Sequence, residues 1–216
     1  MMDMKELADQ LRLPHGENSG IVTDLMAKSN KQLYDFTYQN LNLFPNMNIL
    51  EIGPADGHFV DELFKMESEV GYKGVDLSDD MIEAARMRNA DLVNKGKAEF
   101  IKGDINDLPF TEDSFDRIFT VNTLYFWSDP GKGVRELLRV LKPSGKLMIV
   151  IRSKESMEKM PFTQFGFRMY TNDELSELLT SNGFSSTKIS LITETAELPS
   201  GGTAEMVSFC AIAEKR

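Results

Sequence analysis

From Met47 onward, short apolar runs alternate with stretches of helical spacing, which is typical of βαβ units and a parallel sheet. The runs predict seven strands, over residues 48–52, 70–75, 98–102, 115–121, 146–151, 188–193 and 205–213. The spacing between them predicts helices over residues 59–66, after Ser78, over 133–141 and after Thr171. A loop with Pro199 and Gly201-Gly202 joins the last two strands, so we expect an antiparallel pair there.

The first 45 residues differ, because their apolar positions recur only at near-helical spacing. The positions that define this spacing are Leu25, Met26, Leu33, Phe36 and Leu41. A turn over residues 13–17 separates a short opening helix from a longer one, and Pro45 closes the segment. We therefore expect residues 1–45 to form a helical cap, or lid, on a main domain of residues 46–216.

Composition narrows the class of protein. The 216 residues fit one α/β unit, and 41% hydrophobic with 27% charged residues is typical of a globular protein. The longest clean apolar run, residues 147–151, is far shorter than the roughly 18 residues of a membrane span. The single Cys210 excludes an intramolecular disulfide and a cysteine-cluster metal site, so no metal is expected. With no secretory apolar region near the start, we expect a cytoplasmic protein.

The net charge of −10 bears on whether the protein binds nucleic acid. Nucleic-acid phosphates are bound by basic surfaces, and the sequence contains no long cluster of lysines or arginines. A nucleic-acid partner is therefore disfavoured, although a local basic groove stays possible.

Polar residues recur just after four consecutive predicted strands. The first strand is followed by Gly53-Pro54-Ala55-Asp56-Gly57, and the next three by Asp76, Asp104 and Asn122. One acidic residue at a strand end is more often a turn residue. Because ligands bind at the carboxyl ends of parallel strands, four such positions in register favour a binding site.

The chemistry of these positions favours a nucleoside over a phosphate. Asp76 can accept hydrogen bonds from both ribose hydroxyls, and Asp104 can accept one from an adenine amine. Leu77 and Ile105 can pack against the ring. The carboxylates of Glu51 and Asp56 beside the loop would repel a phosphate and attract a cationic ligand.

These motifs resemble those of class I S-adenosylmethionine-dependent methyltransferases. The loop EIGPADG carries the resemblance, followed in order by GVDLS, GDINDLPF, SFDRIFTVNTLYFW and RVLKPSGKL. It covers residues 48–151, nearly half of the chain. The sequence of these motifs is most similar to the small-molecule branch that includes ubiquinone and menaquinone methyltransferases. The N-terminal segments LRLPHGENSG and MAKSNKQLYDFTYQNL look like the helical lid of that branch. Ala55 departs from the pattern, which has a glycine there.

The resemblance implies a Rossmann-like three-layer α/β sandwich with a seven-stranded, mostly parallel sheet and an antiparallel last strand, plus the N-terminal helical cap. It also implies S-adenosyl-L-methionine as cofactor. The predicted cofactor-binding residues are Glu51, Gly53, Pro54, Ala55, Gly57, Asp76, Leu77, Met81, Asp104, Ile105 and Asn122.

The acceptor is expected to be a small apolar or aromatic molecule. The cap, the segment 125–127 and the Met- and Phe-rich stretch 153–170 would form its pocket. The candidate pocket residues are Tyr125, Trp127, Phe162, Phe165 and Tyr170. No catalytic residue is assigned: His15 and His58 are the weak candidates for a base, and methyl transfer needs one only if the acceptor must lose a proton.

Two other functions compete with methyl transfer. A nicotinamide-dependent oxidoreductase would need glycines where Ala55 and His58 stand, and no tyrosine has a lysine four residues later. A protein that binds S-adenosylmethionine as a non-catalytic regulator or partner is harder to dismiss, because a fold does not determine function.

Overall fold

The computed structural model describes residues 2–197 and 201–216, without the side chain of Glu197. Seven strands form one sheet in the order β3-β2-β1-β4-β5-β7-β6. β7 runs antiparallel to its neighbours β5 and β6, and the other adjacent pairs are parallel. The strands are β1 Asn48–Ile52, β2 Gly71–Asp76, β3 Ala98–Lys102, β4 Phe115–Val121, β5 Leu141–Arg152, β6 Thr187–Glu197 and β7 Thr203–Glu214.

Eight α-helices are described. They are α1 Met4–Arg12, α2 Ser19–Asn40, α3 Val60–Met66, α4 Asp79–Arg88, α5 Ala90–Asn94, α6 Pro130–Val140, α7 Lys154–Met157 and α8 Asn172–Ser181. Short 3-10 turns occupy Gly16–Asn18, Leu124–Phe126 and Pro161–Gln164. Two predicted caps are confirmed: Ser78 accepts from the Met81 N–H, and Thr171 forms a capping box with Glu174.

Helices cover both faces of the sheet, because the inner strands present apolar side chains on each face. Ile49 and Phe119 pack on one face with side chains of α2, α3 and α4. Leu50 and Ile118 pack on the other face with side chains of α6 and α8. The predicted three-layer sandwich with a mostly parallel seven-stranded sheet is confirmed.

Several boundaries differ from the prediction. β5 begins five residues early, because Phe115 pairs with Leu141 and Arg117 with Lys146, and the turn residues between form a bulge. β6 and β7 extend past their predicted ends.

The helix after Ser78 ends at Arg88 and is followed by the separate α5. At the break, the side chain of Asn89 donates to the carbonyls of Ala85 and Gly57, and so competes with helical bonding. The predicted turn at Pro199 lies outside the described residues. Within the described parts of the chain, no helix has the length and apolar character needed to cross a membrane.

Candidate active site

Two adjacent cavities open at the carboxyl ends of the parallel strands, beneath α2. The first cavity, about 220 Å³, lies over the loop after β1 and the ends of β2 and β3. The second cavity, about 840 Å³, lies between α1, α2 and the segment after β5. The side chains that line both cavities are Leu11, Met26, Asn30, Asn122 and Phe126. The two spaces therefore share a wall, and the end of β4 contributes to it.

The loop after β1 follows a conformation that suits glycine. Gly53, Ala55 and Gly57 all have positive φ, of 72°, 49° and 66°. A Cβ at Gly53 would lie 2.4 Å from the Cγ2 of Thr123, so no side chain fits there. Gly53, Pro54 and Ala55 line the first cavity. Gly57 instead packs behind the loop, where its carbonyl accepts from Asn89.

Asp76 and Asp104 both line the first cavity, where acceptor oxygens for a nucleoside were predicted. Asp76 Oδ2 accepts the N–H of Ala55 at 3.1 Å, and Oδ1 accepts that of Ser78 at 2.9 Å. Burial raises the pKa of Asp76, against the opposing effect of these N–H donors. A carboxylate can accept about four hydrogen bonds, so both oxygens keep capacity for a ligand.

Asp104 is held in place by its neighbour Asn106. Its Oδ1 accepts both the backbone N–H and the side-chain amide of Asn106, at 2.9 and 3.1 Å. Leu77 and Ile105 also line the first cavity, and Leu77 is half exposed. Carboxylate acceptors beside apolar side chains are the groups that a nucleoside would need, and their contact with a ligand stays a prediction.

Glu51 does not line either cavity, because two tyrosines enclose it. Tyr34 donates to its Oε1 at 2.5 Å and Tyr72 to its Oε2 at 2.6 Å. Burial raises the pKa of Glu51 to about 7, while the two phenol donors act to lower it. The predicted contact of Glu51 with a ligand is therefore replaced by a contact with Tyr34, which itself lines the first cavity.

The charges at the loop also differ from expectation. Asp56 lines the first cavity, but Arg88 donates to its Oδ2 at 2.7 Å. Arg12, at the end of α1, lines the same cavity. The expectation that two unpaired carboxylates and no basic group surround the loop was thus incomplete. Both arginines lie far from the loop in sequence, so the loop itself gave no sign of them.

One face of α2 forms the roof of the first cavity. Thr23, Ala27, Asn30 and Tyr34 follow one another at helical spacing, and all four line it. Of the apolar positions used to predict this helix, Met26 lines this cavity, whereas Leu25, Leu33, Phe36 and Leu41 do not. A stripe of polar and small residues at helical spacing was the available signal.

The remaining predicted residues are divided between the cavities and the core. Met81 is buried, and its N–H donates to Ser78. Trp127 lines the first cavity rather than the second, and Tyr125 and Phe162 line the second. Phe165 is 37% exposed, whereas Tyr170 is buried in the core. Neither of these last two is among the side chains that line the second cavity.

A hydrogen-bond network crosses the shared wall. Asn122, with a φ of 57°, donates from Nδ2 to Asn30 Oδ1 at 2.9 Å. Its Oδ1 lies 2.9 Å from the hydroxyl of Tyr125 and accepts the N–H of Arg152 at 3.2 Å. Burial raises the pKa of the Tyr125 phenol. The network fixes Asn122 between the ends of β4 and β5 and α2.

Comparison with known proteins decides the family. Residues 50–149 match the model of a methyltransferase domain. The chain is 30% identical over 132 residues to an uncharacterized methyltransferase, YdaC, of Bacillus subtilis, and the match covers 61% of this chain and 71% of that protein. This chain belongs to the methyltransferase family.

Other relatives of this methyltransferase are longer proteins. It is 25% identical over 164 residues to a ubiquinone/menaquinone biosynthesis C-methyltransferase of Vibrio parahaemolyticus, covering 75% of this chain and 63% of that protein. It is 36% identical over 110 residues to a demethylmenaquinone methyltransferase of Clavibacter sepedonicus, covering 50% and 42%. The chain thus spans less than two thirds of the length of either relative.

Solved structures show the same fold. A SAM-dependent methyltransferase from Aquifex aeolicus superposes with a TM-score of 0.70 at 23% identity, over 94% of this chain and 100% of that one. The resemblance to methyltransferases is confirmed, and the chain shares the fold of this solved S-adenosylmethionine-dependent enzyme. The donor and acceptor groups of the first cavity fit the cofactor's nucleoside.

Proposed function

We propose that this methyltransferase binds S-adenosylmethionine in the first cavity and methylates a small apolar or aromatic molecule in the second. The shared wall is the observation that supports this most, because it brings two ligands together at Asn122 and Phe126. Methyl transfer requires such contact between donor and acceptor.

The residues of the first cavity divide naturally along the cofactor. Asp76 would hold the ribose hydroxyls, and Asp104 with Ile105 the adenine. The loop at residues 53–56 would hold the methionine portion, beneath Tyr34 of α2. The sulfonium supplies an already activated methyl group, so the protein has to align the two ligands and exclude water.

The carboxylates that line the second cavity, Asp35 and Glu194, are each paired with a cation. Tyr125 stays a neutral phenol because burial raises its pKa. No histidine lines this cavity within the described chain. We assign the chain's residues to binding and alignment, and we assign no general base.

We also infer that residues 1–45 act as a lid on a cofactor-binding domain of residues 46–216. The roof that α2 forms over the first cavity supports this division. The net charge of −10 supports a small-molecule acceptor rather than nucleic acid, and a cytoplasmic location stays a prediction.

Substitution of Asp76 tests the cofactor assignment. Asp76→Ala should weaken S-adenosylhomocysteine binding roughly 100-fold in calorimetry, because two hydrogen bonds to a charged acceptor are lost. Asp79→Ala is the control, since Asp79 lies nearby, is exposed and pairs with Lys102 outside the cavity. Circular dichroism checks that both variants fold. Unchanged affinity in Asp76→Ala would rule out the ribose assignment.

Turnover separates an enzyme from a regulator that only binds the cofactor. A panel of small aromatic and aliphatic acceptors, with labelled S-adenosylmethionine, should release S-adenosylhomocysteine for at least one apolar member. Tight cofactor binding without turnover across the panel would favour the non-catalytic alternative. Micromolar affinity for NAD would contradict the cofactor assignment itself.

A further inference from the structure

A buried ion pair forms part of the second cavity. Arg152, the last residue of β5, donates from Nε and Nη2 to Glu194 Oε1, at 2.9 and 2.6 Å. Nη2 also donates to the carbonyl of Ser29 on α2 at 2.8 Å. The two side chains are only 10% and 7% exposed, and both residues line the cavity. Two ions this deeply buried are costly to desolvate, so such a pair in a cavity wall invites a functional explanation.

The sheet topology explains how residues so far apart in sequence meet here. Arg152 lies opposite Ser208 of β7, and Ser208 lies opposite Ile192 of β6. Glu194 is two residues beyond Ile192 and therefore on the same face of the sheet. The small side chain of Ser208, fully buried, lets the pair cross over the strand between them.

The ion pair lies beside the wall that the two cavities share. The backbone N–H of Arg152 donates to the hydroxyl of Tyr125 at 2.6 Å and to Asn122 Oδ1 at 3.2 Å. Asn122 lines both cavities. A ligand group bound by the pair would thus be close to the place where donor and acceptor meet.

Each ion of the pair keeps one atom without a partner. Both hydrogen bonds between Arg152 and Glu194 use Glu194 Oε1. Within residues 2–197 and 201–216, neither Glu194 Oε2 nor Arg152 Nη1 has a hydrogen-bond partner. Oε2 can only accept and Nη1 can only donate. Together they match a ligand group that both donates and accepts and carries no net charge.

We propose that the Arg152–Glu194 pair is the polar subsite for the methyl acceptor, and that it selects acceptors bearing a hydroxyl, phenol or carboxamide group over charged ones. This proposal rests on the proposed function of the second cavity. A carboxylate or an ammonium gains little net attraction from a neutral ion pair, and it loses its own hydration in this buried site. The apolar body of the acceptor packs against Met157, Met160, Phe162 and Phe167.

Other charged side chains at this cavity do not change the preference of the ion pair for uncharged ligand groups. Lys28 and Lys31 lie on the exposed side of α2, and Lys31 is paired with Asp35. Charges in contact with solvent are screened, whereas the buried pair is not.

Two isosteric ligands test the selection directly. Calorimetry on the full chain, with and without S-adenosylhomocysteine, measures binding of naphthalene-2-carboxamide and naphthalene-2-carboxylate. The wild type should bind the carboxamide at least 10-fold more tightly. Glu194→Gln removes the negative charge and leaves Arg152 uncompensated, so the carboxylate should gain at least 10-fold relative to the carboxamide and the preference for the carboxamide should be lost.

Glu205→Gln provides the matched control, because Glu205 is an exposed residue of β7 that does not line the cavity. It should keep the wild-type preference. A pair that only ties β5, β6 and α2 together would change stability in Glu194→Gln without changing the ratio of the two affinities. An unchanged ratio in folded Glu194→Gln would therefore overturn the proposal.

Ligand binding by the wild-type protein tests the proposed subsite even if Glu194→Gln does not fold. Equal or tighter binding of the carboxylate by the wild type overturns the proposal, as does failure to bind either ligand. If the carboxamide preference holds but S-adenosylhomocysteine does not bind, the proposed function fails while the subsite stands. The two conclusions can thus fail separately.

Discussion

Ala55 keeps its backbone in the left-handed region, with a φ of 49°, in a loop where the flanking positive-φ residues are glycines. For a residue with a Cβ this conformation costs roughly 1–2 kcal/mol. The surroundings hold it there: the Ala55 N–H donates to Asp76, and the Gly53 N–H donates to the carbonyl of Val75. Strain is thus stored next to the predicted ribose-binding carboxylate.

Ala55→Gly should relieve this strain. We expect the free energy of unfolding to rise by about 1 kcal/mol, less than the full strain because glycine also gains freedom in the unfolded chain. Urea denaturation measures the change. Ala204→Gly, in β7 at ordinary φ, is the control and should lower stability. A loss of stability in Ala55→Gly would show that the loop is unstrained.

At the level of elements, the turn between α1 and α2 is fastened to the start of α4. The hydroxyl of Ser78 accepts the N–H of Met81 and donates to the carbonyl of Pro14 at 2.8 Å. The N–H of Gly16 donates to Asp80 Oδ2 at 3.0 Å. Because Pro14 lines the first cavity, these bonds hold the α1–α2 turn over it.

Ser78→Ala should therefore speed ligand release as well as destabilise α4. Loss of the helix cap costs about 1 kcal/mol, and loss of the bond to Pro14 should raise the dissociation rate of S-adenosylhomocysteine several-fold. Asp129→Ala removes an equivalent cap from α6, so it should lower stability without changing that rate. Stopped-flow measurement compares the variants. Equal acceleration in both would attribute the effect to general destabilisation.

The elements were largely predictable, because apolar periodicity determines strands and helices locally. The break at Asn89 and the bulge before Lys146 were not, since each depends on side-chain or cross-strand bonds. Asp76 and Asp104 could be found because a strand end places them. The burial of Glu51 depends on Tyr34, from a helix whose docking the local pattern does not reveal.

On the scale of the whole molecule, Glu51 makes folding sensitive to pH. Its pKa rises from 4.5 to about 7 in the folded protein, mainly because of burial. The folded chain therefore binds this proton more tightly than the unfolded chain does. The resulting stabilisation is full below pH 4.5 and is lost as the pH rises through 7, by on the order of 3 kcal/mol.

Glu51→Gln removes this titration. The difference in free energy of unfolding between Glu51→Gln and wild type should shift in favour of the variant by on the order of 3 kcal/mol from pH 4.5 to 8. Denaturation across this range measures it. Glu83→Gln, an exposed change on α4, should give a flat difference. A flat difference for Glu51→Gln would mean that Glu51 ionises as readily in the folded protein as in the unfolded chain.

The antiparallel direction of β7 has a consequence for how related methyltransferases can differ in acceptor preference. It makes β6 parallel to β5, so the end of β6 reaches the ligand-binding edge and brings Glu194 there. The predicted cofactor-binding residues all precede β5 in the chain, whereas Glu194 belongs to the terminal hairpin. Because Glu194 lies on this hairpin, we expect that exchanging the hairpin between related enzymes changes acceptor preference while the predicted cofactor-binding residues stay the same.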